Sequence, residues 1–129
     1  MRTHSRLLLA TCLLFLPTAL MAHAHLQSAD PADGAELDHA PEKIELRFSE
    51  GIEARFSTFA LHLVPSPDTA DVEDHPQVPL GDPGADAEER IVTLHAETDI
   101  EPGTYVLVWE VLAHDGHTTT GEVRFTVAE

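Results

Sequence analysis

The sequence predicts an all-β fold, an antiparallel sandwich or Greek-key barrel, and three observations carry that prediction. Apolar residues alternate with period two in most segments after residue 22, as half-buried strands require. Clusters of Pro, Gly and Asp separate those segments, and none of them shows a helical stripe. Short strands joined by such turns become stable when one sheet packs on another.

The elements follow in chain order. Residues 1–22 read as a secretory signal peptide. Arg2 and Arg6 supply a positive start, an apolar run extends from Leu7 to Leu16, Pro17 breaks it, and small residues lead to Ala22. That run is half of the ~20 residues a membrane-spanning helix needs. Cys12 follows Leu9-Ala10-Thr11 in faint likeness to a lipoprotein box, but the apolar run continues past it. Cleavage after Ala22 leaves 107 residues, one domain spanning 23–129 that begins at His23. Within it, Ile44, Leu46 and Phe48 share a face against Glu45 and Arg47. Phe59, Leu61 and Leu63 repeat the pattern, as do Val92 with Leu94, and Val123, Phe125 and Val127. Residues 105–112 are apolar at nearly every position, which predicts a central strand buried on both faces. The Pro102-Gly103 turn leads into it. The segment 65–89 holds five prolines and eight acids, and reads as a long solvated loop with one short strand around 78–80. Its acids lack the spacing of a calcium loop.

Composition narrows the function. Cys12, Met1 and Met21 all leave with the signal, so the mature chain has neither disulfide nor thioether chemistry. Loss of Arg2 and Arg6 takes the net charge from −16 to −18. That charge repels nucleic acid and anionic lipid and attracts cations, though acidity alone does not mark a metal site.

Two places carry chemistry: His23-Ala24-His25 at the new N-terminus, and His114-Asp115-Gly116-His117 after the buried strand. An N-terminal histidine can chelate through its free amine and imidazole Nδ1, and a second imidazole completes the nitrogen-rich plane that Cu(II) prefers. Asp115 and His117 are two apart, so either an extended strand or a bend at Gly116 can bring them together. Taken alone, D-x-H is more often an ordinary surface turn than a ligand pair.

The residues from His23 on resemble the CopC family of periplasmic copper-binding proteins. The resemblance lies in His23-Ala24-His25-Leu26 with Ser28, Asp30-Pro31-Ala32 and Gly34, then Ala40-Pro41 and the run 44–50. It continues through Gly103-Thr104-Tyr105, Trp109, Asp115-Gly116-His117, Gly121 and Phe125-Thr126-Val127, and omits only the acidic loop. The resemblance implies an Ig-like, seven-stranded Greek-key sandwich or barrel with the N-terminus beside the D-x-H turn. It implies one Cu(II) per chain, held by the amine and Nδ1 of His23, the Asp115 carboxylate and a His117 nitrogen. Glu50 would be an outer carboxylate near the His23 amine, and His25 an auxiliary. His114 reads as a surface residue, and His39, His62, His75 and His95 as ordinary surface or strand histidines. Without methionine, the Cu(I) site of some family members is excluded.

The implied protein is a monomeric periplasmic carrier or sequestering protein, with a membrane copper transporter as its recipient, rather than an enzyme. Two alternatives stand beside it. One is a copper-dependent oxidative enzyme with a histidine brace, disfavoured by few aromatics and by a carboxylate where oxygen would bind. The other is a metal-free Ig-like interaction module. Two points stay open within the leading reading. Ala22-His23-Ala24 is itself an A-x-A string, so cleavage after Ala24 would expose His25, although the spacing from Leu26 to Pro31 favours His23. A free His-Ala-His end can also bind Cu(II) through its own amides, leaving Asp115 and His117 idle.

Overall fold

The computed structural model describes residues 23–129; the signal-peptide and Cys12 readings fall on residues 1–22, outside the described residues. The strands are β1 (Leu26–Asp30), β2 (Ala35–Leu37), β3 (Ile44–Phe48), β4 (Thr58–Val64), β5 (Gln77–Val78), β6 (Gly84–Ala85), β7 (Ile91–Leu94), β8 (Gly103–Leu112) and β9 (Thr118–Val127). They form two sheets, ordered β1-β3-β7-β6 and β2-β9-β8-β4-β5. Seven strands have three or more residues, and β5 and β6, both inside segment 65–89, have two each. All pairings are antiparallel except β2 with β9. No helix among the described residues is long and apolar enough to cross a membrane.

The period-two pattern becomes the core. Leu46 and Phe48 of β3 and Val92 and Leu94 of β7 face Tyr105, Leu107, Trp109 and Val111 of β8 and Val123, Phe125 and Val127 of β9. Phe48 meets Trp109 edge-on at 5.2 Å, and Tyr105 stacks on Phe125 at 5.5 Å. The Tyr105 hydroxyl donates to the Glu101 carbonyl at 2.6 Å, pinning the turn before β8 as tyrosine corners do. Burial holds the Tyr105 hydroxyl above the usual phenol range.

Segment 65–89 is more structured than a solvated loop. It contains β5, β6 and a short 3₁₀ turn at Val72–Asp74 that folds back over the five-stranded sheet. Val72 thereby covers Val64 and Val106 in a second small core. This is why β8 is buried on part of its outer face, as its unbroken apolar run implies. His62 is a strand histidine of β4 and not a surface one: it is only 2% exposed, and its Nδ1 lies 3.0 Å from the His75 carbonyl. On the other face of β4 the expected alternation fades, since Leu61 is buried, Phe59 is half-buried and Leu63 is exposed at the strand's end.

Candidate metal centre

The centre is built where two distant parts of the chain meet. Ala24 is completely buried in the main core, and its carbonyl accepts the Thr119 hydroxyl at 2.7 Å. One residue on, the backbone of His25 pairs with Ser49: Ser49 N–H donates to the His25 carbonyl at 2.9 Å, and His25 N–H donates to the Ser49 hydroxyl at 3.0 Å. The same hydroxyl lies 3.2 Å from the His23 carbonyl and 3.0 Å from His25 Nδ1. The β1–β3 ladder is in effect prolonged to residue 25, and Ala24 anchors His23 at the edge of the sandwich.

The other half is the turn between β8 and β9. Ala113 N–H donates to the His117 carbonyl at 2.8 Å and Gly116 N–H to the Ala113 carbonyl at 2.9 Å. Gly116 sits at φ 90°, in the left-handed region that glycine adopts without strain. The turn is closed by Asp115, whose Oδ1 accepts the His117 backbone N–H at 3.0 Å while Oδ2 lies 3.1 Å from His117 Nδ1. The D-G-H string therefore converges through a bend, not through an extended strand.

The two halves bring together His23, Asp115 and His117, whose donor atoms all lie within 4.8 Å of one another. The His23 and His117 rings meet edge-on with centroids 4.7 Å apart. The Asp115 carboxyl is held below the usual carboxylate range, first by the backbone N–H of His117, then by the His117 ring, with His23 adding a smaller attraction. An ionised carboxylate is thus ready between two imidazoles. Two imidazoles and a carboxylate suit a divalent transition ion of the Cu(II) or Zn(II) type. In the unprocessed chain the His23 nitrogen is an amide; it becomes an amine donor only when Ala22 is cut away.

The remaining expected residues fall outside this set. His25 is exposed and turned to Ser49. Glu50 lines a neighbouring cleft with Gly51, Glu88, Arg90, Ala113, His114 and Asp115, and no hydrogen bond among the described residues joins it to His23. Among the described residues, Ser49 and Thr119 are the ones whose side chains hydrogen-bond to the segment 23–25. Ser49 stands in the F-S-E string that drew attention to Glu50; nothing in the sequence singles out Thr119.

Residues 26–128 match the family model for the CopC domain. Protein YobA of Escherichia coli K12 is 35% identical over 109 residues, covering 84% of this chain and 82% of its own. Copper resistance protein C of Pseudomonas syringae pv. tomato is 32% identical over 106 residues, covering 82% and 81%. The crystal structure of PcoC, a methionine-rich copper resistance protein from E. coli, superposes with a TM-score of 0.69 at 28% identity, over 82% of this chain and 99% of that one. The chain belongs to the CopC family, a family of copper-binding and copper-resistance proteins and not of enzymes.

Proposed function

We propose that the mature chain, beginning at His23, is a periplasmic protein that binds one Cu(II) and sequesters it or carries it to a membrane copper transporter. The observation that supports this reading is the meeting of His23 with Asp115 and His117 at one edge of the sandwich. After processing, the His23 amine and Nδ1, one His117 nitrogen and the Asp115 carboxylate would supply three nitrogens and one oxygen, a tetragonal set for Cu(II). Asp115 would offset part of the ion's charge. Glu50, one residue past Ser49 and beside Asp115 in the cleft, would add negative potential from outside the ligand set.

Burial of Ala24 supports two further points. Cleavage after Ala24 would remove a core side chain and its hydrogen bond to Thr119, so the fold favours His23 as the mature start. The peptide mode of His-Ala-His needs the His25 amide and imidazole as ligands, and both are engaged by Ser49. The folded centre therefore competes favourably with the free end.

The test is Cu(II) titration of the protein starting at His23, read by EPR and visible absorption. One tight equivalent is expected, weakened in the Asp115→Ala/His117→Ala double variant and lost when one extra residue precedes His23. Affinity should fall as pH drops through the imidazole range near ~6.5, because the ligands must be deprotonated. Unchanged binding in the double variant would assign the metal to the terminal peptide and overturn the folded centre.

A further inference from the structure

One more imidazole is met by carboxylates, and it belongs to the residue beside Asp115. His114 Nε2 lies 3.5 Å from Glu89 Oε1 and 3.8 Å from Glu53 Oε1. The donor atoms of the three residues all lie within 4.8 Å of one another. These separations are too long for good N–H···O hydrogen bonds, which fall at about 2.7–3.2 Å. They are close to the edge of a coordination tetrahedron, about 3.4 Å when metal–ligand bonds are about 2.0–2.2 Å. Both carboxylates face the same ring nitrogen, His114 Nε2, which can donate at most one good hydrogen bond.

The donors are also held in place by the backbone. Ile52 N–H donates to the Glu89 carbonyl at 2.9 Å, Glu53 N–H to the Leu112 carbonyl at 2.7 Å, and His114 N–H to the Gly51 carbonyl at 3.1 Å. Three segments are thereby tied side by side, each presenting one donor. The His114 ring lies against Gly51, where a Cβ would stand 2.6 Å from ring Cε1 and Nδ1. Glu89 adopts a left-handed φ of 53°, and its N–H donates to the Asp86 carbonyl at 3.0 Å. The adjoining cleft, about 290 Å³, adds Glu50 and Glu88, with Arg90 as its one base.

We propose that Glu53, Glu89 and His114 form a second divalent-cation site that takes Zn(II) or Cu(II), one imidazole and two carboxylates binding the ion and water completing its shell. Its ligands are distinct from those of the His23 centre, and the assignment does not rest on that centre. With no amine and with all three side chains 39–47% exposed, it binds more weakly than a processed N-terminal histidine set. It is an overflow position next to the first, reached when the tighter ligands are filled.

The experiment is calorimetric titration of the protein starting at His23 with Zn²⁺ and, separately, Cu²⁺, with EPR following the copper series. Two equivalents of unequal affinity are expected. His114→Ala, and separately the Glu53→Gln/Glu89→Gln pair, should each weaken the second equivalent by at least about tenfold and leave the first unchanged. His117→Ala should do the converse. A weak, His114-dependent equivalent that persists when the tight one is missing supports this site and counts against the His23 centre alone. The proposal is overturned if the protein stops at one equivalent with either ion, or if the second equivalent survives in both His114→Ala and the glutamate pair.

Discussion

The hydroxyl of Thr119 offers a test of how His23 is aimed. In Thr119→Val the side chain keeps its shape but loses the proton that the Ala24 carbonyl accepts at 2.7 Å. Ala24 is fully buried, so its carbonyl has no ready access to water as a substitute partner. Leaving a buried acceptor unsatisfied costs about 1–3 kcal/mol. Thr119 itself is only half-buried, which puts the expected loss in the lower part of that range, about 1–2 kcal/mol. The terminal segment can escape this loss by leaving its groove in the metal-free protein, but it must return for His23 to meet His117. Copper affinity should then fall about 5- to 30-fold, as 1.4 kcal/mol corresponds to a factor of ten. The assay is competitive Cu(II) binding against a chelator, beside chemical denaturation of the metal-free protein. Lower stability with unchanged copper affinity would refute the reasoning, since the tether would then serve the fold without aiming the ligand.

Two other predictions concern the same end of the molecule. Asp115 has a folded-state pKa below its ordinary value, so the stabilisation it contributes is present above the normal carboxylate range and is lost as pH falls through the lowered pKa. Denaturation across pH 2–7 should show Asp115→Asn less stable than the parent from about pH 4 upward, with the two curves converging in acid; a constant offset at all pH values would contradict it. Gly121 packs against the Trp109 ring so closely that a Cβ would stand 2.3 Å from ring Cζ2. Gly121→Ala should therefore destabilise the metal-free protein by about 1–3 kcal/mol and alter Trp109 fluorescence. An unchanged melting temperature would show that the ring can move aside freely.

What could be read from the sequence was local. The period-two runs of β3, β7 and β9 and the unbroken run of β8 announce strands, because neighbouring side chains alternate across a sheet whatever the rest of the chain does. The D-x-H string and the terminal histidine were visible as metal-type donors, and their meeting was implied by resemblance to a family. The rest depends on which segments fold back. The parallel pairing of β2 with β9 joins residues some 90 positions apart, and no pattern in either strand encodes it. Val72 sits among prolines and acids that argue for a solvated loop, yet it closes a small core over Val64 and Val106. Ser49 and Thr119 act through single hydroxyls on backbone carbonyls, a role that no local pattern distinguishes from that of the other serines and threonines. The convergence of Glu53, Glu89 and His114 is likewise a property of three tied segments and not of any spacing.

The His23 centre lies on the seam of the sandwich. His23 precedes β1, which belongs to the four-stranded sheet, whereas Asp115 and His117 sit between β8 and β9 of the five-stranded one. A single ion held there would be a clasp between the two layers, closing a covalent-like loop from one end of the domain almost to the other. Residues 23–129 contain no cysteine, so no disulfide can make this connection and a metal ion is the cross-link open to them. Cargo and staple would then be the same atom. Handing the ion over would loosen the seam, and a recipient would be drawing on a donor that relaxes as it empties.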